Sequence, residues 1–201
     1  MKFLGKSPDS QILKDGLCYL ENRGIDNAKL RSALLAEQKN FCAYTEMYCT
    51  ELESVEVEHF NQSLKYQDDY YNYYAVIRWA NTGKPDGAFK GKAFFTSLFF
   101  QNREIWNSRI RFIDNTYETT DENDQEASDL ILFLRLNHPD LFNRRKKRVE
   151  RISKTLLGDA RYQNNPIRII EYFRDHPEEL SFITALEIEL NLDLSEFWKY
   201  A

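Results

Sequence analysis

One short stretch of this chain alternates where most of the rest does not. In ESVEVEHF, residues 53–60, Val55 and Val57 fall on one face, and a period of two predicts a strand ending at His59. The segment after it, NQSLKYQDDYYN, is polar and aromatic without a period and reads as a loop. YYAVIRWAN, residues 73–81, fits a second strand or a helix, and TGKPDG breaks whatever precedes it.

Helical patterns surround this motif. Residues 1–26 read as a polar lead-in with one amphipathic stretch at Ile12, Leu13, Leu17 and Leu20. Asp26 or Asn27 can cap a helix over 28–40, with Leu30, Leu34 and Leu35 at helical spacing, and FCAYTEMYCTEL then reads as a turn. Residues 93–113 fit a hairpin, or a strand followed by a helix. The run 114–129 holds seven acidic residues and no basic one, which reads as a solvated loop. Beyond it come four helical segments, 128–136, 138–158, 165–176 and 177–190, with Pro139, Pro166 and Pro177 where a first turn accepts proline. His138 and His176 precede two of these prolines and read as helix entries. The expected class is α+β, mainly helical, with a helical C-terminal part. Residues 1–92 and 93–201 are expected to pack together as one domain.

No run approaches 18 apolar residues, so no membrane span is expected, and the first apolar run is too short for a secretory signal. Cys18, Cys42 and Cys49 form no even framework and no CxxC pair, which fits reduced thiols in a cytoplasmic protein. The net charge of −5 matters more. Unaided nucleic-acid binding favours a net basic face, so any such role needs local organisation of charge or a second subunit.

The chemistry-bearing pattern is Glu58-His59, then Asn72, Asn81 and Lys84. Metal-assisted phosphodiester cleavage needs a base for water and a divalent ion to stabilise the phosphate. Histidine suits the first task at neutral pH. A carboxylate and an amide oxygen suit the second, because Mg²⁺ prefers hard oxygen ligands. Adjacent residues at a strand end point different ways, so Glu58 can hold the ion while His59 faces the water. An asparagine on the loop can fix the imidazole through its other nitrogen. Tyr70, Tyr71, Tyr73 and Tyr74 fit either base stacking or packing around the motif.

LLAEQKNFCAYTE, followed by VEVEHFNQSLKYQDDYYNYYAVIRWANTGK, resembles the core of HNH endonucleases, in particular the HNH nuclease subunits of Septu antiphage systems, also found as effectors in some retrons. LRLNHPDLFNRRKKRVERI is similar to a further segment of that family, so the resemblance spans roughly residues 30–154 and is dense only over 30–84. It implies a ββα-metal motif at the fold centre, with His59 as general base, Asn72 orienting it, and Glu58 and Asn81 as ligands of Mg²⁺ or Mn²⁺. It implies cleavage of DNA or structured RNA, such as tRNA, and an ABC-type ATPase subunit as partner. Many relatives also carry two CxxC pairs for structural zinc. Here only Cys42 remains, with Ile77 and Ala80 at the second pair, so no structural zinc is expected and Ile77, Trp79, Ala80 and Cys42 should pack in its place.

Between 144 and 154 stand seven basic residues against one acidic. On a helix Arg144, Lys147, Arg148 and Arg151 share one side, next to Arg145 and Lys146. That side fits a phosphate track toward His59, a dock for an acidic partner surface, or a plain solvated face. Two non-enzymatic functions compete with the nuclease: a sensor or interaction module keeping the fold without the chemistry, and an adaptor binding nucleic acid through the basic helix alone.

Overall fold

A computed structural model describes residues 1–19, 24–163 and 165–199; Leu20 of the lead-in lies outside them. The lead-in is part of the core rather than a polar prelude. Phe3, Leu4 and Ile12 are each 1% exposed. A single turn, α1 (Gln11–Lys14), is capped by the Ser10 hydroxyl, which accepts from the Ile12 N–H at 3.0 Å. Helix α2 (Gly24–Glu37) begins ahead of Asp26 and Asn27, and the side chain of Asp26, one of the two expected caps, lies outside the described residues. It stops short of residue 40 because Lys39 and Asn40 take positive φ, 54° and 64°, a conformation asparagine tolerates. Leu30 and Leu34 face the core, and Leu35 is half-buried.

The alternating segment forms β1 (Val55–His59), paired antiparallel with β2 (Tyr73–Ile77), with Val55 opposite Ile77 and His59 opposite Tyr73. YYAVIRWAN is thus both things its composition allows, since α3 (Arg78–Thr82) follows β2 directly. Strand β2 is buried along its whole length, as its aromatic and branched residues favour.

After the breaker the order expected for 93–113 is reversed. Helices α4 (Phe94–Ser97) and α5 (Arg103–Arg109) come first, and β3 (Ile110–Ile113) follows. Its partner β4 (Thr116–Thr119) is drawn from the acidic run. Asp114 and Asn115, at φ 47° and 61°, make the tight turn that right-twisted hairpins prefer. The rest of that run is only partly a solvated loop. Asp124 caps α6 (Gln125–Phe133), accepts from Ala127 N–H, and grips Arg109 at 2.6 and 2.7 Å; Asp129 is buried and pairs with Lys92 at 2.8 Å. The bidentate Arg109 contact outweighs partial burial and holds the Asp124 carboxyl below its ordinary value.

Helices α7 (Pro139–Ile152) and α8 (Pro166–Asp175) both begin on proline. The helix expected over 177–190 is broken into a 3-10 turn at Pro177–Leu180 and α9 (Ile183–Glu189). The break lies at Phe182, whose φ is 66° and whose N–H donates 2.7 Å to the Glu46 carbonyl. The side chain of Glu46 completes this tie. Its buried carboxylate accepts from Lys2 N–H (2.7 Å), Thr184 N–H (3.1 Å) and the Thr184 hydroxyl (2.8 Å).

Burial pushes the Glu46 carboxyl up, but the N-terminal ammonium, Lys2 and the Thr184 hydrogen bonds together outweigh it and hold the group below its ordinary value. A depressed folded-state value means that the contribution is full above the unfolded carboxyl pKa and lost as pH falls through the folded one. The N-terminal amine, pushed down to about 6 by burial, is charged throughout that acid window. Glu46→Gln should therefore destabilise the fold by about 1–3 kcal/mol at neutral pH. Urea unfolding should show the difference from the parent shrinking below about pH 4; a difference that persists unchanged in acid would refute the assignment.

Phe60, fully buried, centres the larger core. The rings of Tyr74, Phe94, Phe95, Phe100 and Phe133 lie 4.5–6.3 Å from it. A second cluster joins Phe3 and Phe41 to Ile152, Phe173, Ile183 and Trp198. Among the described residues no helix is long and apolar enough to cross a membrane.

Candidate active site

The end of β1 opens into a cleft of about 370 Å³. Glu58 and His59 reach it from β1, and Asn81 from α3, because the helix starts as soon as β2 has returned beside β1. The loop between the strands supplies the rim through Gln62, Lys65, Tyr66 and Asp68, and Tyr19 comes from the lead-in. The hairpin register thus brings together three of the four residues expected to act.

His59 is 6% exposed, its ring edge-on to Tyr19 (4.5 Å between centroids) and Tyr73 (5.2 Å). Tyr73 is itself fixed: its hydroxyl donates to Asp68 Oδ1 at 2.7 Å and accepts from the Tyr19 N–H at 3.4 Å. These two rings, with the strand backbone, set the imidazole plane. No feature of the lead-in sequence marks Tyr19 as part of a site.

Asn72 does not orient His59 as expected. Its Oδ1 accepts from the Asn61 N–H at 2.7 Å and its Nδ2 donates to the Asn61 carbonyl at 3.1 Å. Both ends of the amide thus clamp the backbone where β1 runs into the loop. A primary amide matches a backbone donor–acceptor pair, and Asn72, 5% exposed, spends both its amide ends on the Asn61 backbone.

Lys84 is not at the surface for phosphate or a partner. Its side chain and that of Glu58 are each 1% exposed and form an ion pair, and the ammonium also donates to the carbonyls of His59 and Phe60 at 3.2 Å. The Phe133 ring lies 4.7 Å from it. Burial of the carboxylate demands a partner, and Lys84 is the cation within reach.

Asn81 Nδ2 donates to Glu56 Oε2 at 2.8 Å, and Arg78 Nε donates to the other oxygen at 2.6 Å. Partial burial pushes the Glu56 carboxyl up, but these hydrogen bonds and the Arg78 charge hold it below its ordinary value. With its nitrogen so placed, Asn81, which lines the cleft, has its amide oxygen left to accept with. Glu58 and Asn81 both border the cleft, but the Glu58 carboxylate is 1% exposed and engaged by Lys84, so holding a Mg²⁺-type ion, which asks for one or two protein oxygens plus water, requires it to leave that pair. No group of three His, Cys, Asp or Glu among the described residues is arranged for a metal.

The basic run departs from expectation. Arg145 is buried, donates to the Leu136 carbonyl at 2.6 Å and lies against Tyr117 and Phe112. Arg148 and Arg151 both pair with Glu179 on the turn after α8. Arg144, Lys146, Lys147, Arg151 and Lys154 are exposed, so the phosphate track, the partner dock and the solvated face stay open for that part of the run. Of the four residues on the shared side, Arg148 and Arg151 meet the turn after α8 through Glu179, and Arg144 and Lys147 are exposed.

Cys42, Ile77 and Ala80 are buried together as expected, with the Ile77 N–H on Cys42 Sγ at 3.4 Å, and burial pushes the Cys42 thiol up. Trp79 does not join them: it is 36% exposed and faces His138 and Arg135. A helix position between two inward residues points outward. Tyr70, Tyr73 and Tyr74 are buried, so packing is the outcome for these tyrosines. His138 caps α7, accepting from the Asp140 N–H at 3.2 Å. Compared with family models, curated proteins and solved structures, the chain matches none.

Proposed function

We propose that the chain is a metal-dependent HNH-type endonuclease that hydrolyses phosphodiester bonds in DNA or structured RNA. In this reading it serves in the cytoplasm as the nuclease subunit of an antiphage assembly, gated by an ABC-type ATPase subunit. The observation that carries it is the convergence of Glu58, His59 and Asn81 on one cleft at the end of a two-stranded hairpin followed by a helix. His59 accepts the proton of the attacking water. Glu58, once released from Lys84, and Asn81 would hold Mg²⁺ or Mn²⁺, which would supply stabilisation of charge on the phosphate and the leaving oxygen. Asn72 keeps the loop entrance fixed, and Tyr19 and Tyr73 keep the imidazole in plane. The net charge of −5 favours a subunit that needs its partner's grip on nucleic acid.

One observation favours a second reading, a module that keeps the fold without the chemistry: the Glu58 carboxylate is already neutralised by Lys84. The two separate in an assay of the chain together with its partner ATPase. Cleavage of nucleic acid that needs Mg²⁺ or Mn²⁺ and is stopped by a chelator is expected, and its absence would leave the non-catalytic module. Asn81→Ala should raise the metal concentration needed for half-maximal cleavage about 10- to 100-fold; an unchanged requirement would remove Asn81 from the ligand set.

A further inference from the structure

The geometry points to single-stranded nucleic acid as the substrate form, held by a stacking platform at Tyr66 and a second groove leading to the cleft; this rests on the nuclease reading above. Tyr66 stands on the cleft rim with 72% of its surface exposed, and Lys65 Nζ lies 4.6 Å from its ring centroid. An aromatic face so open, backed by a cation and next to the cleft, presents what an unpaired base stacks on. A paired base offers no such face, because its own neighbours cover it. Gln62 lines both this cleft and a groove of about 700 Å³, whose walls include Leu64, Lys90 and Phe95. Lys90 is exposed at that groove and the Phe95 ring is half-buried in it, so cation and apolar surface alternate as a strand's phosphates and bases do. The recess of His59 adds a steric reason. A phosphate must descend past the rim to reach a side chain 6% exposed. A single strand bends to do so, whereas a duplex is stiff over about 150 base pairs.

The test is fluorescence anisotropy of the full-length His59→Ala chain with a short labelled oligonucleotide, in chelator, as single-stranded DNA, single-stranded RNA and duplex of one sequence. Both single strands are expected to bind more tightly than duplex, and the DNA and RNA arms identify which is preferred. Adding Tyr66→Ala should weaken single-strand binding on the order of tenfold and leave duplex binding unchanged, while Tyr66→Phe should bind like the parent. Lys90→Ala should weaken binding to any sequence and lower the salt dependence by about one charge. Equal or tighter duplex binding, a Tyr66→Ala variant that binds like the parent, or no binding of any oligonucleotide would overturn the inference. Because binding is read without cleavage, the two readings fail separately. An assembly that cleaves duplex in preference defeats this one alone, and Tyr66-dependent binding without cleavage defeats the nuclease alone.

Discussion

His59→Ala is expected to lower divalent-dependent cleavage by roughly 10²- to 10⁴-fold, the range a positioned general base contributes. The ring it removes is nearly enclosed, edge-on to Tyr19 and Tyr73, and sits two residues from the clamp that Asn72 places on Asn61. None of those supports depends on the imidazole for its own hydrogen bonds: Tyr73 is held by Asp68 and Asn72 by backbone. The variant should therefore stay folded, and circular dichroism with thermal unfolding should place it near the parent. Loss of cleavage by a folded chain is the informative outcome. Parent-like cleavage in the assembly with its partner would remove His59 as the base and with it the nuclease reading.

Lys84→Met is expected to have the largest effect on the fold itself. Glu58 and Lys84 are each 1% exposed, so removing the ammonium leaves a carboxylate in a setting of aromatic rings and backbone carbonyls. Breaking a buried pair from one side costs about 3–5 kcal/mol, whereas replacing both partners by neutral groups costs far less. Denaturant unfolding should show that loss for Lys84→Met and recovery of most of it in Lys84→Met with Glu58→Gln. Divalent ions give a second readout. If Glu58 is a ligand, Mn²⁺ should stabilise Lys84→Met, by about 2.7 kcal/mol at a hundred times its dissociation constant. The double variant should show no such gain. A loss under about 1 kcal/mol on removing Lys84 would mean that the pair is not buried in solution. Equal stabilisation of single and double variants by Mn²⁺ would exclude Glu58 as the ligand.

How far the sequence exposes this site depends on the range of the physics involved. Alternation is local, so β1 and its end at His59 can be read from ESVEVEHF alone, and the spacing to Asn81 can be carried by a returning strand that runs straight into a short helix. The proline starts of α7 and α8 are local for the same reason. The sequence puts Asn72 on the loop but does not name its partner, because an amide satisfies backbone and imidazole equally well on paper and only the path of the chain brings it to Asn61. Lys84 and Arg145 look like surface cations in any sequence, and their burial follows from Glu58 and from the Tyr117 side, both distant along the chain. Helical spacing puts Arg148 and Arg151 on a common face, but their shared partner, Glu179, lies on the turn after α8, which no pattern within α7 reveals. Tyr19, some forty residues before His59, could be found only by folding the lead-in onto the hairpin.

The ring set around Phe60 bears on how such a chain can be shortened. Phe60 follows His59 directly, and four of the rings against it, Phe94, Phe95, Phe100 and Phe133, come from beyond the breaker at residues 82–87. A fragment ending at residue 92 would keep every residue of the cleft and lose that packing, leaving a large apolar side chain in water one peptide bond from the proposed base. The smallest unit able to hold His59 in place therefore runs at least through α6. The motif is short, but what keeps it in working order is not, and gain or loss of this chemistry by recombination would have to move the longer piece.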